Sequence, residues 1–184
     1  MRSTHEPSPV FWLYGRSGAG KTTLSAMAYQ SLRELGWSVF RIDGDVVRSG
    51  LSSDLGFDEA SRTENHRRMA EVARMASDQG QVVVGSSMVP GVEQRVVLRR
   101  VLGDRLRWVH LDASWEVCEA RDAKELYRKA SRGELPVPIR GRFDPPCAGE
   151  VDLLLETGTE PIGESHRRLM EYCLCCLREI RREG

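Results

Sequence analysis

The feature that most limits how this chain can fold is the sequence GRSGAGKT at residues 15–22, which fits the pattern G-x-x-x-x-G-K-[ST]. An apolar run at 10–14 precedes it and predicts a buried strand. Residues 21–35 follow it, with apolar side chains at helical spacing. A strand, a glycine-rich turn and a helix in this order predict a loop whose backbone N–H groups bind phosphate oxygens. A glycine-rich turn without a ligand is the weaker alternative, because every position of the pattern is filled and both flanks fit.

The length and the charge balance narrow the class of protein. A chain of 184 residues can form one domain with a proper core. Its 27 Lys and Arg residues equal its 27 Asp and Glu residues, so no overall field favours nucleic acid or a membrane surface. No apolar run approaches a membrane span, and residues 1–9 resemble neither a signal peptide nor a transit peptide. We expect a cytoplasmic protein with a disordered lead-in at 1–9 and a single domain at 10–184.

Five cysteines, an odd number, do not predict a disulfide framework. Cys173, Cys175 and Cys176 lie close together, but no second pair of Cys or His residues stands at ligand spacing. A helix here would place two of these cysteines on one face with three apolar residues. The predicted members of that face are Leu169, Cys173, Cys176, Leu177 and Ile180. We therefore predict core packing for this face and no metal site.

Strand-like and helix-like segments alternate along the chain. The strand candidates are residues 10–14, 38–42, 81–85, 106–111 and 151–155, and the helix candidates are residues 21–35, 59–77, 92–102, 115–122, 123–131 and 163–182. Continuously apolar strands are typical of a sheet covered on both faces, and the alternation predicts a parallel α/β sheet. In such sheets ligands bind beyond the carboxyl ends of the strands, so the residues that follow each strand are candidates for a site.

Two carboxylates, Asp43 and Asp45, follow the second strand candidate directly. Beside a phosphate loop they suit two tasks, which are to hold Mg²⁺ directly or through water and to orient or deprotonate a hydroxyl that attacks a γ-phosphate. Lys21 would contact the β- and γ-phosphates of ATP, and the Thr22 hydroxyl would contact Mg²⁺. A turn with two solvated acids is the alternative, and it would be preferred if the phosphate loop were absent.

A series of arginines begins at Arg48 and continues in the segment 62–68, which also contains Asn65. With the aromatic Phe57, these side chains could form a pocket for an acceptor that carries a phosphate or sulfate group, because a guanidinium binds such groups in a fork geometry. The alternative is a charged helix start whose side chains face water. The side chains that fit this alternative are Arg62, Glu64, Arg67 and Arg68.

Taken together, these segments resemble the adenylyl-sulfate (APS) kinase family, whose members phosphorylate the 3′-hydroxyl of APS with ATP to give PAPS. The matching segments are residues 15–23, 43–48, 50–51, 54–57, 62–68, 117–122, 124–127 and 133–135. They occur in the family's order over most of the chain, and the block at 43–68 is the specific part. The resemblance implies an α/β P-loop kinase fold, a three-layer sandwich with a parallel sheet of about five strands and helices on both faces.

The resemblance also implies the roles of individual residues. Lys21, Asp43 and Asp45 would be catalytic, and a lid at about 121–146 would close over both nucleotides. The implied ATP-binding residues are Gly15, Ser17, Gly18, Ala19, Gly20, Lys21, Thr22, Thr23 and Arg121. The implied acceptor-binding residues are Arg48, Phe57, Arg62, Asn65 and Lys124, and the implied Mg²⁺-linked residues are Thr22 and Asp43. Because proteins of this family commonly dimerise, a homodimer is implied as well.

Several positions depart from the family pattern. Val89 stands where the family has a serine, which excludes a phosphoserine there but not direct transfer between two bound substrates. Glu125 replaces a flexible glycine of the lid, and the Phe-Thr-Gly part of a family loop is missing from 136–146. Arg140 and Arg142 add positive charge to that loop, which would suit a more anionic acceptor.

In the same loop, Phe143 and Asp144 are a conservative replacement for a Tyr-Glu pair of the family. The departures concentrate in the acceptor half of the site, whereas the ATP half is nearly untouched. The leading hypothesis is therefore an APS kinase. The second is a related phosphotransferase that acts on another hydroxylated small molecule, for example a nucleoside-like one. The third, a nucleotide-binding module without turnover, is disfavoured because such a module has no need of two carboxylates.

Overall fold

Five parallel strands in the order β2–β3–β1–β4–β5 form one sheet. The computed structural model describes residues 7–122, 125–134, 142–146 and 149–183. The strands are β1 Val10–Gly15, β2 Val39–Asp43, β3 Val82–Ser87, β4 Leu106–Leu111 and β5 Leu153–Leu155. β1 lies in the centre, where it pairs with β3 and β4. The carboxyl ends of β1, β2 and β3 therefore lie side by side, and the chemistry-bearing segments that follow them meet at one edge.

Helices cover both faces of this sheet. The described residues form α1 Lys21–Glu34, α2 Gly44–Ser49, α3 Glu59–Asp78, α4 Val92–Leu102, α5 Trp115–Arg121, α6 Leu126–Ser131 and α7 Ile162–Glu183, with a 3-10 turn at Gly103–Arg105. Helices α1 and α7 pack together on one face, and α3 and α4 pack together on the other. The predicted three-layer α/β sandwich is confirmed.

The central strand shows why both faces must be covered. Phe11 and Leu13 belong to the core cluster under α1 and α7, whereas Val10, Trp12 and Tyr14 belong to the cluster under α3 and α4. All five side chains are fully buried. Leaving either set in water would lose about 1.5–3 kcal/mol for each large apolar side chain, so the strand stabilises the fold only between two helical layers.

Helix α2 was not predicted from the sequence. It has six residues and begins with a glycine, so it is too short to show a helical period. Its N-terminus is capped by Asp43, whose Oδ1 accepts a hydrogen bond of 3.0 Å from the N–H of Asp45. The candidate helix at 123–131 is described as α6 from Leu126 onward, and residues 123 and 124 lie outside the described part of the chain.

The cysteine-containing face of α7 packs as predicted. Cys173 and Cys176 are buried with Leu169 and Leu177 in the cluster beneath α1 and α7. Cys175 points away from this face and is exposed. The side chain of residue 180, the fifth predicted member, lies outside the described part of the chain.

The end of the predicted lead-in is attached to the sheet. The carbonyl of Pro9 accepts a hydrogen bond of 3.0 Å from the N–H of Val83, and the N–H of Ser8 donates to the carbonyl of Ser77 at 3.2 Å. Ordered contacts therefore begin at least two residues before the predicted domain boundary, and residues 1–6 lie outside the described part. Within the described ranges, every helix falls short of the length or the apolar character needed to cross a membrane.

A glycine in β3 is required by close packing against β1. A Cβ added to Gly85 would lie 2.7 Å from the ring of Trp12, which is fully buried and cannot move aside. We expect Gly85→Ala to lower the free energy of unfolding in urea by about 2 kcal/mol, the usual cost of overpacking a core. Gly163→Ala in α7 is the control, because no heavy atom of the described residues lies within 4 Å of its added Cβ. Equal effects of the two substitutions would contradict the packing argument.

Candidate active site

A cavity of about 720 Å³ lies at the carboxyl edge of the sheet. The predicted site residues that line it are Ser17, Gly18, Ala19, Gly20, Lys21, Thr22, Thr23, Asp43, Asp45, Arg48, Phe57, Arg62, Asn65 and Arg121. Gly15 is not among the lining residues, since it ends β1 beneath the loop. Lys124 lies outside the described part of the chain, so its role stays a prediction.

The phosphate loop lies against the backbone of α5. Gly18 has a φ of 86°, and a Cβ on it would lie 2.7 Å from the carbonyl oxygen of Cys118. Helix α1 then begins at Lys21, and its N-cap, Gly20, has no side chain to cap it, so its first N–H groups are available to an anion. Lys21 Nζ donates to the carbonyl of Arg16 at 2.7 Å, across the mouth of the loop. This arrangement suits phosphate oxygens.

Hydrogen bonds from two hydroxyls and a backbone N–H hold the carboxylate of Asp43, and Nη2 of Arg41 lies 3.7 Å from its Oδ2. Its Oδ2 accepts hydrogen bonds from the hydroxyls of Thr22, at 3.1 Å, and Ser86, at 2.8 Å. Its Oδ1 accepts from the N–H of Asp45. The Ser25 hydroxyl lies 3.3 Å from that of Ser86 and extends the network below. The carboxylate is therefore held beside the Thr22 hydroxyl, whereas Asp45 is exposed at the cavity wall.

Two arginines and an aromatic ring form one end of the cavity. The guanidinium carbon of Arg48 lies 4.5 Å from the ring centroid of Phe57, and that of Arg62 lies 6.0 Å from it. Their other contacts are to backbone oxygens, from Arg48 to Gly56 and from Arg62 to Phe57. Burial lowers the pKa of both arginines, and the charge of Arg62 lowers the pKa of Arg48 further. An anion placed here would relieve both effects.

The opposite end of the cavity lies under α6 and the start of α7. Arg121 donates to the carbonyl of Thr157 at 2.6 Å, and Ile162 forms part of the wall. Tyr127 of α6 donates through its hydroxyl to the carbonyl of Ser17 in the phosphate loop, at 2.9 Å. The described part of the predicted lid is thus hydrogen-bonded to the loop that would hold the donor phosphates.

Sequence comparison assigns the chain that carries this site to a family. The family model described as adenylylsulphate kinase matches residues 7–153, which is most of the chain. The chain belongs to the adenylylsulphate kinase family. The adenylyl-sulfate kinase of Paraburkholderia xenovorans is 42% identical over 165 residues, which are 89% of this chain and 91% of the relative. The adenylyl-sulfate kinase of Vibrio parahaemolyticus is 41% identical over 94% of this chain and 82% of the relative.

The fold agrees with a solved member of the family. The structure of the Mycobacterium tuberculosis APS kinase CysC in complex with AMPPNP and APS has a TM-score of 0.84 to this chain. The two are 33% identical, and the match covers 90% of this chain and 97% of that one. This match confirms the P-loop kinase fold that the resemblance implied for this chain.

Several lining residues were not predicted as site residues. They lie at or after the ends of β2, β3 and β5, on α3, at the start of α7 or in the predicted lid: Gly44, His66, Ser86, Ser87, Met88, Asp122, Leu126, Tyr127, Thr157, Glu160, Ile162 and Ser165. Position directly after a strand is the signal that could have identified the groups at 86–88 and 157–165. No comparable signal marks His66, because its burial depends on how α3 packs against β3.

The loop around residue 143 has a different role from the one predicted. Arg142 is ion-paired to Asp144, Glu59 and Glu93 at 2.6, 3.2 and 3.6 Å. The expectation that Arg142 offers its charge to an anionic acceptor is therefore wrong, because three carboxylates already neutralise it. Phe143 stacks on His110 at 6.0 Å and is not among the described residues that line the cavity. Arg140 lies outside the described part of the chain.

Two other departures from the family pattern also have structural explanations. Val89 is fully buried in the cluster under α3 and α4, so its side chain packs in the core rather than lining the cavity. Glu125 is not a glycine and has a φ of 53°, in the left-handed region. That conformation costs an ordinary residue about 1–2 kcal/mol, which explains why glycine suits this position. Here Glu125 is also bonded to Arg128 at 2.8 Å.

A buried histidine lies at the end of the cavity formed by Arg48, Arg62 and Phe57. His66 Nδ1 lies 2.7 Å from the carbonyl of Arg62, and its Nε2 lies 3.2 Å from the Ser87 hydroxyl, which also accepts from the indole of Trp12. Since a carbonyl can only accept, Nδ1 carries the proton and Nε2 accepts from Ser87. Burial lowers the pKa of His66 to about 4, so the ring is neutral at pH 7.

The low pKa of His66 predicts a loss of stability in mild acid. The unfolded chain takes up this proton below about pH 6.5, whereas the folded protein resists until about pH 4, so stability falls through that window. We expect the free energy of unfolding to drop by about 2 kcal/mol from this group between pH 7.5 and 5. His66→Leu should be less stable at pH 7.5 but lose less on acidification. An equal fall in the free energy of unfolding between pH 7.5 and 5 for the wild type and His66→Leu, measured by urea unfolding, would contradict the low pKa of His66.

Proposed function

We propose that this protein transfers the γ-phosphoryl group of ATP to the 3′-hydroxyl of adenosine 5′-phosphosulfate, giving PAPS and ADP. The observation that carries the proposal is the pair Arg48 and Arg62 beside Phe57, in the same cavity as the phosphate loop. Neither arginine is ion-paired to a carboxylate of the described residues. A nucleotide that carries a phosphosulfate supplies the missing anion for the arginines and an adenine ring for Phe57.

The donor half is supported by the start of α1. The uncapped N–H groups of its first turn and the Lys21 ammonium supply positive potential for the β- and γ-phosphates. Arg121 and Ile162 stand at the far end of the cavity, where the donor base would lie. Phosphoryl transfer requires mainly positioning and charge neutralisation, and these groups provide both.

Mg²⁺ fits beside Thr22 and Asp43. Their oxygens are 3.1 Å apart, and hydroxyl and carboxylate oxygens, together with water and phosphate oxygens, are the ligands that this ion prefers. When bound, the ion neutralises charge on the transferring phosphates. Asp43 is already held by three donors, so its part is to hold the ion and keep Thr22 oriented. Within the described residues, no cluster of three or more His, Cys, Asp or Glu side chains forms a separate metal site.

Asp45 accepts the proton of the attacking hydroxyl. Its carboxylate is exposed at the cavity wall, one turn of α2 before Arg48, so it can reach a hydroxyl of an acceptor held by Arg48 and Arg62. The acceptor oxygen forms a bond to the γ-phosphorus as the bond from that phosphorus to the β–γ bridging oxygen breaks. The hydroxyl proton passes to Asp45, and ADP leaves with the bridging oxygen.

The proposed role of Asp43 predicts that its hydrogen-bond donor Ser86 affects catalysis. Ser86→Ala removes one donor from the Asp43 carboxylate, and we expect kcat/KM to fall about tenfold and the Mg²⁺ requirement to rise, since a hydrogen bond to a charged group contributes about 1.5 kcal/mol or more. Initial rates measured against Mg²⁺ concentration test this. Ser25→Ala is the matched control, because that hydroxyl bonds to Ser86 and not to the carboxylate. Identical Mg²⁺ curves for both variants would contradict the role.

The proposed activity is tested by product identification. Purified protein with ATP and Mg²⁺ is given APS, AMP, or a panel of nucleosides and other alcohols, and products are identified by mass spectrometry. We expect PAPS from APS and far less product from AMP, which lacks the sulfate. Lys21→Ala should lower kcat at least a hundredfold, on the order of the loss of one charge-stabilising group.

Each other outcome assigns a different function. Phosphorylation of another alcohol with APS inert would replace the proposal with a phosphotransferase of different specificity. Tight ATP binding without product from any acceptor would indicate a binding module. The homodimer implied by the resemblance and the cytoplasmic location expected from the composition stay predictions, and sedimentation of the purified protein tests the first.

A further inference from the structure

Arg16 occupies a position that the phosphate-loop pattern leaves open, and its side chain turns away from the cavity. Its Nη1 donates to the carbonyl of Ala113 at 2.7 Å and lies 3.5 Å from a carboxylate oxygen of Asp112. Arg16 is not among the described residues that line the cavity. A contact with bound phosphate therefore does not explain this long cationic side chain.

Two aromatic rings hold the guanidinium. Its carbon lies 5.2 Å from the ring centroid of Trp115 and 5.0 Å from that of Phe143. The side chain is 22% exposed, and its Nε is buried with no hydrogen-bond partner in the described part of the chain. A guanidinium stacked on rings and shielded from water is held more strongly than one at the surface.

The backbone of the same residue organises the phosphate loop. The carbonyl of Arg16 accepts hydrogen bonds from Lys21 Nζ at 2.7 Å and from the N–H of Ala19 at 3.1 Å. The side chain of Arg16 is fixed outside the loop, and its carbonyl accepts from Lys21 within it. Arg16 therefore attaches the loop to the rest of the fold, in addition to the contacts of Ser17 with Tyr127 and of Gly18 with Cys118.

The ring of Phe143 is itself held in place. It stacks on His110, which stacks on Tyr14 of β1 at 5.0 Å. The N–H of Asp144 donates to the carbonyl of Pro90 at 2.7 Å, and Arg142 is ion-paired to Glu59 at the start of α3. The position of the Phe143 ring against Arg16 is therefore fixed by contacts with the rest of the fold.

We propose that Arg16 is a positioning residue, which holds the phosphate loop in its phosphate-binding conformation by fixing the loop between Trp115 and Phe143. The glycines of the loop leave its backbone free to adopt other conformations, so without this side chain part of the binding energy of ATP would be spent on ordering the loop. The proposal rests on the donor half of the proposed function and is independent of the acceptor.

The test measures binding of AMPPNP with Mg²⁺ by isothermal titration calorimetry, together with kcat and KM for ATP. We expect Arg16→Ala to raise the Kd about tenfold, Phe143→Ala to raise it less, and the double variant to add little to Arg16→Ala. Arg16→Lys should recover part of the loss, because a lysine keeps the charge but not the planar stack. Thermal unfolding of each variant separates loss of the loop conformation from loss of the fold.

Arg33→Ala is the matched control, since Arg33 lies 5.4 Å from the ring centroid of Tyr29 on the surface of α1 and makes the same kind of contact far from the loop. It should leave Kd unchanged. An unchanged Kd in Arg16→Ala, a fall in Tm alone, or additive effects of Arg16→Ala and Phe143→Ala would overturn the proposal. Failure of the wild type to bind AMPPNP would overturn it too. Normal AMPPNP binding without PAPS formation would overturn the proposed acceptor and leave this test intact.

Discussion

The site depends on the phosphate loop lying so close to its neighbours that two of its residues cannot carry a side chain. A Cβ on Gly15 would lie 2.5 Å from the carbonyl oxygen of Leu111, and one on Gly18 would lie 2.7 Å from that of Cys118. The loop is thereby held against the end of β4 and against α5, and the start of α1 is fixed with it. Thr22, on the first turn of α1, is then within hydrogen-bonding distance of Asp43 at the end of β2. This contact, together with the link from Ser25 through Ser86, joins the start of α1 to the Asp43 carboxylate.

The positive charge available at the cavity depends on which arginines are ion-paired to carboxylates. The protein has no net charge, and most described arginines near the site are neutralised: Arg68 by Asp54 and Glu64, Arg95 by Glu150, and Arg142 by three carboxylates. Arg48 and Arg62 contact backbone oxygens and an aromatic ring instead. Placing two partly buried cations beside each other raises the free energy of the unliganded site. An anionic acceptor would recover that free energy, so we expect Arg48 and Arg62, which form no ion pair with a described carboxylate, to contribute to the proposed specificity.

The sequence predicted the strands, the long helices and about half of the residues that line the cavity, because these depend on local patterns or on the family resemblance. Apolar periodicity identifies β1 and α1, and position after a strand identifies Asp43 and Asp45. What could not be predicted depends on contacts between distant segments. The neutral state of His66 arises from burial, which the packing of α3 against β3 produces. Likewise the charge of Arg142 looks available in the sequence and is lost only when α3 and α4 bring Glu59 and Glu93 to it.

Differences from the family pattern extend to the donor half as well. Helix α6, in the predicted lid, contacts the phosphate loop through Tyr127 and Ser17, so Glu125 at the start of that helix lies on the side of the proposed donor site. Asp122 supports the same turn, because its carboxylate accepts from the N–H groups of Tyr127 and Arg128. A glycine at 125 would adopt the left-handed conformation without strain, but it would also allow many others. A glutamate has fewer allowed backbone conformations than a glycine, and its hydrogen bond from Arg128 restricts the turn further. The cost is local backbone strain, and the effect is a more defined position of Tyr127 against the phosphate loop.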